Sequence, residues 1–342
     1  MRHVNIPIFI PHLGCPNQCV FCNQRSISGV ARFKAEQVAV IIDEALATVE
    51  ADAEVEIAFF GGSFTGIDRE VMISLLKIAH SYIECGKVGS IRCSTRPDYI
   101  DDEIIRILKQ YGVKTVELGL QSSSDNVLKL SKRGHNFEAE RYACDLIVKS
   151  GLELIGQMMI GLPGSTIDDE IETARFISSS GAVGARIYPT VVFRETELCD
   201  MTLCGDYKPL SLDEAIDRSA RVLEIFLDSG VEVIRIGLQA SENLSSDDKY
   251  LAGPNHPSLG ELVIGEVYYN KIRKLLSERG LSGDEKIKIL VGRGMLSKAI
   301  GQNRKNKLRL TDEYKNISFA EADGIREYDL QLEINNGEIK CI

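Results

Sequence analysis

The feature that most narrows what this chain can fold into is a repeated alternation between residues 4 and 236. Short apolar, β-branched runs are followed, again and again, by stretches of helical periodicity. Val4–Ile10, Val55–Phe60, Ser90–Thr95, Val113–Leu120, Leu152–Gly161, Ala185–Phe193 and Val231–Ile236 read as strands. Helical patterns lie between them at Lys34–Glu50, Arg69–Glu84, Asp101–Tyr111, Phe137–Ser150, Thr166–Ser180 and Ser211–Asp228. In the first of these Val38, Ile41, Ile42 and Leu46 share one side, and Gly151 and Gly230 close two later ones. Six or seven strand-then-helix units with short connections predict parallel strands joined by right-handed crossovers. A doubly wound sheet and a barrel both satisfy that pattern. Either one puts functional residues at the carboxyl ends of the strands.

The alternation stops after Ile236. Ser241–Gly260 is rich in Ser, Asp, Pro and Gly and reads as a connector. Beyond it, Glu261–Arg279 reads as a helix, Lys286–Val291 as a strand, Met295–Lys305 as another helix, and Leu332–Ile342 as short strands. The expected division is a core over 1–245 and an accessory region over 246–342, within what 342 residues allow for one barrel and a small appended domain. With 44% hydrophobic and 26% charged residues the chain is expected to fold rather than stay disordered. No apolar run approaches the ~18–20 residues that span a bilayer. The opening stretch, interrupted by Pro7 and Pro11, does not read as a secretory signal. The expectation is a cytoplasmic protein with no membrane partner. A net charge of −10 argues against a uniformly basic nucleic-acid binder but leaves room for a local basic surface.

Nine cysteines are many for such a chain, and three of them, Cys15, Cys19 and Cys22, crowd into eight residues after the first strand. In a reducing compartment clustered cysteines point to a metal or to catalysis before a disulfide. Thiolates suit zinc or an iron–sulfur cluster. Structural zinc wants four protein ligands, and no fourth one sits at a matching spacing. Three ligands leave one iron of a four-iron cluster open to bind something else. His12 is near in sequence, but a loop histidine is more often solvent-facing or structural.

The C-x3-C-x2-C loop, with Phe21 before its last cysteine, resembles that of the radical S-adenosylmethionine (SAM) enzymes. Four further segments carry the same resemblance in order: Phe60-Gly61-Gly62-Ser63-Phe64-Thr65, Ser94-Thr95-Arg96-Pro97-Asp98, Glu117-Leu118-Gly119-Leu120-Gln121-Ser122 and Met159-Ile160-Gly161-Leu162-Pro163-Gly164. The resemblance covers roughly residues 4–240, and within the superfamily it is nearest to the radical domain of the Elongator catalytic subunit and to oxygen-independent coproporphyrinogen III oxidase. It implies an α/β fold: a partial TIM-type (β/α)6 radical SAM barrel with a small α+β C-terminal extension. It also implies a [4Fe–4S] cluster on Cys15, Cys19 and Cys22, and S-adenosylmethionine bound at the open iron. One electron then cleaves SAM to a 5′-deoxyadenosyl radical that abstracts hydrogen from a substrate. By the same resemblance Gly61, Gly62 and Ser63 form the turn that meets the methionyl amino group, and Gln121 and Arg133 reach the ribose and carboxylate. Ser94 and Gln157 fall where the porphyrin enzyme has acidic SAM contacts. Both are neutral here, which weakens the correspondence, although a hydroxyl or an amide still bonds a ribose hydroxyl. The competing reading of these residues is a tight turn and ordinary strand-end polar groups.

Other features were weighed beside that site. Cys199 and Cys204 in a polar loop, with distant Cys341, fall short of a second cluster. ELGLQSSSD and SKRGH also read as plain surface loops. Arg186 and Tyr188 face the opening without an assigned role. Lys271–Arg309 holds twelve basic and three acidic residues, a balance suited to tRNA phosphates, although charge runs are usually solvated helical faces. An RNA-binding KH module would need a G-x-x-G loop. Gly301-Gln302-Asn303-Arg304 lacks the second glycine, and Gly280-Leu281-Ser282-Gly283 leads into a strand. Three functions follow: a radical SAM enzyme acting on tRNA, one acting on a small metabolite of the porphyrin-precursor type, and a cluster-bearing RNA-binding protein without turnover. The first two need an electron donor such as flavodoxin or ferredoxin. No long region with an acetyltransferase pattern follows the barrel, so acetyl transfer is not carried over.

Overall fold

The computed structural model describes residues 3–10, 13–15, 19–23, 34–50, 52–238, 249–281, 283–335 and 338–341. They form two compact units. The first takes in 1–211 and 225–255, and the second 212–224 and 256–342. The first part of the expected connector, 241–248, lies outside the described residues.

The strands of the first unit are β1 (His3–Ile10), β2 (Glu54–Gly61), β3 (Ser90–Thr95), β4 (Val113–Gln121), β5 (Glu153–Ile160), β6 (Gly184–Pro189), the short β7 (Val192–Phe193), β8 (Glu232–Ile236) and β9 (Tyr250–Ala252). Its helices are α1 (Val38–Leu46), α2 (Arg69–Glu84), α3 (Asp102–Gln110), α4 (Asp125–Leu130), α5 (Phe137–Lys149), α6 (Ile167–Ser179) and α7 (Glu197–Cys204); α8 (Leu212–Ser229) begins in the second unit. The main sheet runs β1-β2-β3-β4-β5-β6-β8, every pair parallel. Chain order therefore equals spatial order, and the sheet curls into a half-barrel with helices on its outside. Its central strands, β2 to β6, are mostly buried, whereas the edge strands β1 and β8 are partly exposed. In β4 every residue but Lys114 is buried.

The helices start where side chains supply the missing acceptors. Asp68, Asp101 and Asn136 each accept from backbone N–H groups of the first turn, and Thr166 forms a capping box with Asp169. The run expected as one strand over Ala185–Phe193 is split. β6 ends at Pro189, and Val192–Phe193 pairs instead with β9, antiparallel.

Inside the half-barrel the core is not apolar throughout. Glu117 on β4 accepts from Arg92 Nη1 of β3 at 2.9 Å, from Arg186 Nε and Nη2 of β6 at 2.8 and 2.9 Å, and from Gln157 Nε2 of β5 at 2.7 Å. Arg92 Nε also donates to Glu56 of β2 at 2.7 Å. Burial alone would push the Glu117 carboxyl up, but the Arg186 and Arg92 guanidiniums hold it below the ordinary carboxylate range. One charged layer thus ties five strands together.

In the second unit α9 (Leu259–Glu278) lies over a four-stranded sheet of order β11-β10-β12-β13. The strands are β10 (Lys286–Val291), β11 (Asn316–Glu321), β12 (Leu330–Ile334) and β13 (Glu338–Cys341), and only β10 and β11 are parallel. Tyr268, Ile272, Leu276, Ile289 and Leu332 are among its buried core. The helix expected over Met295–Lys305 is instead two short ones, α10 (Leu296–Ile300) and α11 (Lys305–Thr311), broken at Gly301 by a left-handed turn.

Removing Glu117 leaves the buried Arg186 guanidinium without its anion and Arg92 with Glu56 alone. Glu117→Ala should cost about 3–5 kcal/mol, and Glu117→Gln less, in urea unfolding at neutral pH. Wild-type stability in the alanine variant would mean that the layer does not hold the strands.

Candidate metal and cofactor site

The first cysteine stands on a loop packed backbone to backbone against the turn after β2. Gly62 N–H donates to Ile10 O at 2.7 Å and Ser63 N–H to Leu13 O at 3.0 Å. A Cβ on Gly62 would lie 2.0 Å from Leu13 O, and one on Gly14, whose φ is +75°, would lie 2.1 Å from Ser63 O. No side chain fits at either position. Here the requirement for glycine comes from the cysteine loop itself.

The second half of the loop is pinned on its other side. Val20 N–H donates to Ser131 O at 3.2 Å, Leu198 N–H to Val20 O at 2.8 Å, and Cys22 N–H to Cys19 O at 3.0 Å. Val20 packs against Val192, Leu198, Cys199 and Tyr207, with Phe21 alongside. Cys19 is thereby buried and Cys15 and Cys22 are half-buried. Burial pushes the Cys15 thiol up, against the opposing pull of Arg96 and Arg133. Burial also pushes Cys93 up, and Cys144 up to about 12, which leaves those two as inert core thiols. Among the described residues no three His, Cys, Asp or Glu side chains converge on a single metal ion. A four-iron cluster does not ask for that, since each of its cysteines binds a different iron.

Around Cys19 stand buried cationic and amide groups. Arg133 Nη1 lies 3.3 Å from Cys19 Sγ, and its Nη2 donates to Gly119 O. Arg96 Nη2 donates to Arg133 O, and Arg96 holds Asp98 through two bonds of 2.9 and 2.8 Å. Gln121 ends β4 at a register shift with φ +75°, a conformation that costs a non-glycine residue of order 1–3 kcal/mol. Gln121 Oε1, Arg133 Nε and Arg96 Nη1 are buried without a hydrogen-bond partner among the described residues. Two donors and one acceptor left over beside three thiols fit a zwitterionic ligand carrying a carboxylate and hydroxyls.

The remaining expected site residues divide. Ser63 is fully buried, and its hydroxyl is used within the fold, bonded to Thr95 Oγ1 at 2.8 Å and accepting from Arg96 N–H at 3.2 Å. Its side chain braces the turn. Gln157 has both of its described bonds on Nε2, to Glu117 and, at 3.4 Å, to Ser94 Oγ. An anionic neighbour thus fixes the amide, and Ser94 joins the same layer. Sequence reasoning singled out neither Glu117 nor Arg92. A charge of alternating sign at one inward position on successive strands was the available signal. Arg186, left unassigned, belongs to that layer too.

Cys199 and Cys204 lie on helix α7 and not in a polar loop. Five residues apart on a helix, they point to different sides: Cys199 into the core and Cys204 to solvent. The side chain of Cys341 and all of His12 lie outside the described residues. Half of the basic segment's twelve basic residues are ion-paired within the second unit, Arg273 with Glu313 among them. Lys288, Arg293, Lys298, Lys305 and Arg309 pair with Glu333, Asp323, Glu327, Asp213 and Glu266. That unit contains seventeen acidic and seventeen basic residues.

A cavity of about 930 Å³ opens beside the Arg96 cluster, lined by Asp98, Lys129, Lys132, His135 and Asn136 among others, with none of the three cysteines in its walls. His135 Nδ1 lies 3.6 Å from Asp98 and its Nε2 3.0 Å from Glu140. Burial drives His135 down and Glu140 well up, both toward neutrality. Asp98 goes the other way. Burial opposes its charge, but His135 and Arg96 hold it well below the ordinary value.

Residues 9–177 match the radical SAM superfamily, and residues 182–269 match the radical SAM C-terminal domain. The tRNA uridine(34) acetyltransferase of Methanocaldococcus infernus is 32% identical over 198 residues, 52% of this chain and 36% of that protein. The archaeal Methanocaldococcus infernus Elp3, solved with its N-terminus deleted, matches with a TM-score of 0.61 at 24% identity, over 82% of this chain and 63% of that one. The coproporphyrinogen III oxidase HemN of Escherichia coli matches with a TM-score of 0.50 at 16% identity, over 67% and 53%. These structural likenesses show the fold. The chain spans between 34% and 49% of the length of curated relatives such as the acetyltransferases.

Asp98 has a folded pKa below its unfolded one. Its contribution to stability is therefore full above the ordinary value of 3.8 and is lost as pH falls below it. Asp98→Asn should lower stability at pH 7 and flatten the acid limb of the stability profile below about pH 4, measured by urea unfolding across pH. An unchanged acid limb would show that the Arg96–Asp98–His135 cluster does not set it.

Proposed function

This chain belongs to the radical SAM superfamily, which makes it an enzyme that works with a [4Fe–4S] cluster and S-adenosylmethionine, and from that premise we propose that its substrate is tRNA. Cys15, Cys19 and Cys22 hold the cluster in this reading, and Gln121 and Arg133 receive the SAM ribose and carboxylate. The turn at Gly61 and Gly62 offers backbone to the amino group, and Ser94 and Gln157 line the ribose side. When bound, the two cofactors supply one-electron cleavage of a sulfonium and hydrogen abstraction. The chain's own groups do the positioning. Arg133 bridges the cysteine loop and the end of β4, so the ligand's carboxylate and the sulfur of Cys19 meet one guanidinium. Glu117 keeps the Gln157 amide nitrogen turned toward itself, which leaves the amide oxygen as the acceptor for a hydroxyl.

The observation that carries the cofactor assignment is the trio of unpartnered buried atoms, Gln121 Oε1, Arg133 Nε and Arg96 Nη1, beside the cysteine loop. The tRNA substrate is supported by the likeness to a tRNA uridine(34) acetyltransferase and by basic residues of the second unit that have no ion-pair partner among the described residues, Arg304 and Lys307 among them. Acetyl transfer is not part of the proposal. Among the described residues no helix is long and apolar enough to cross a membrane. A cytoplasmic setting and a flavodoxin or ferredoxin donor complete the proposal.

Anaerobically reconstituted protein should hold about four irons per chain and, once reduced, release 5′-deoxyadenosine from SAM. A Cys15→Ala, Cys19→Ala, Cys22→Ala variant should do neither; iron content unchanged by the substitutions would refute the ligand assignment. Mass spectrometry of tRNA nucleosides after incubation with protein, SAM and reductant should reveal a mass change that the triple variant does not produce. A change confined to a metabolite pool would move the substrate to a small molecule.

A further inference from the structure

In the second unit the chain between the parallel strands β10 and β11 makes α10, the turn Gly301–Arg304, and α11. This is a strand–helix–turn–helix–strand unit whose tight turn sits between the two helices. The turn's backbone is unusual. Gly301 has φ +80°, and Asn303 and Arg304 follow with φ of +52° and +62°. Two successive non-glycine residues in the left-handed region are unfavourable, so something must hold them. Asn306 does. Its buried amide donates to Gly265 O at 2.7 Å and to Ala299 O at 3.2 Å, locking the start of α11 onto α9 and α10. A Cβ on Gly301 would meet Asn306 Cγ at 2.9 Å. Residues 302–305 themselves are exposed.

KH modules grip a single-stranded nucleic-acid backbone with a G-x-x-G loop held in this setting. Gly301 is the first glycine. Arg304 occupies the place of the second, in the backbone conformation a glycine would adopt. The surrounding charge is selective. Lys298, Lys305 and Arg309 are engaged by Glu327, Asp213 and Glu266, whereas Arg304 and Lys307 have no ion-pair partner among the described residues. Arg304 and Lys307 leave two cations unpaired at this turn, and Lys274, Arg279, Lys286 and Arg326 outside it also have no ion-pair partner among the described residues. One turn of helix onward, Leu308 is 61% exposed and offers apolar surface to a base. β11, beside the helices, is the edge strand of its sheet.

We propose that this unit is a KH-type clamp for single-stranded RNA, in which the Gly301–Arg304 turn holds the sugar–phosphate backbone and the Arg304 guanidinium replaces the close approach a second glycine allows. The inference rests on the tRNA reading and adds to it that the gripped segment is unpaired and that this turn is what grips it.

The test uses the full-length, reconstituted protein, with fluorescence anisotropy against a labelled single-stranded RNA decamer, the same sequence as a duplex, and tRNA, each at several salt concentrations. The single strand should bind at least about tenfold more tightly than the duplex. Gln302→Asp/Asn303→Asp, both exposed, should weaken decamer and tRNA binding by about tenfold or more and reduce the salt slope by about one to two. Thermal unfolding and 5′-deoxyadenosine release should stay at wild-type levels. Arg304→Gly, which keeps the backbone, should retain measurable binding that Arg304→Glu loses. Wild-type affinity in the aspartate pair, or equal affinity for the duplex, would overturn the clamp. If that variant still binds and modifies tRNA normally, the clamp falls and the tRNA substrate stands. If the wild type binds no RNA at all, both fall.

Discussion

At the carboxyl ends of β1 and β2 two stretches of backbone approach to within hydrogen-bonding distance, with glycine on each side of the contact. Gly14 faces Ser63 O, and Gly62 faces Leu13 O. Everything else at the site depends on this approach, because it fixes where Cys15 stands relative to the strand ends. From there Cys19 comes under Arg133, and Arg133 reaches back to Gly119 at the end of β4. A single Cβ at Gly62 would part the two stretches and shift the first sulfur away from the guanidiniums that surround it. The thiols are therefore positioned by the fold before any ligand arrives, through hydrogen bonds that the β1–β2 pairing already aligns.

The half-barrel interior solves a different problem. A site meant for a polar ligand cannot be lined with leucine alone, yet buried charge is costly unless it is paired. Glu56, Arg92, Glu117 and Arg186 alternate in sign across β2, β3, β4 and β6, and each charge finds its partner on another strand. The polar groups nearer the mouth are then held by charges that are already satisfied. Gln157 and Ser94 hang from that layer. Among the buried groups with unspent hydrogen-bonding capacity, Gln121, Arg133 and Arg96 stand beside the cysteine loop.

In the second unit charge counts mislead when taken from a stretch of sequence. Lys271–Arg309 is strongly basic, but acids from residues 213, 266, 313, 323, 327 and 333 pair with half of its twelve basic residues. Two of the unpaired ones, Arg304 and Lys307, stand at a turn whose shape is fixed by Asn306. The balance between a diffuse patch and a small cationic point is set by which side chains the fold brings together.

The sequence by itself determined the alternation of the main strands and helices, though not the short elements at Asp125–Leu130, Glu197–Cys204, Tyr250–Ala252 and Asn316–Glu321. Arg69–Glu84, Ser90–Thr95 and Lys286–Val291 match their expected bounds, because periodicity and caps are local properties of the chain. It also determined the family, through a cysteine spacing and glycine turns whose chemistry is legible in one dimension. It failed at Met295–Lys305, where helical composition runs through Gly301 but tertiary bonds from Asn306 impose a left-handed break. It failed again at Cys199 and Cys204, whose polar neighbours suggested a loop where Thr196 caps a helix. Only the tertiary structure decided that Ser63 braces a turn, that Glu117 gathers two arginines and an amide, and which half of the basic segment's cations are paired. Those outcomes depend on residues 25 to 92 positions apart meeting in space, and no local pattern records which charge will face which.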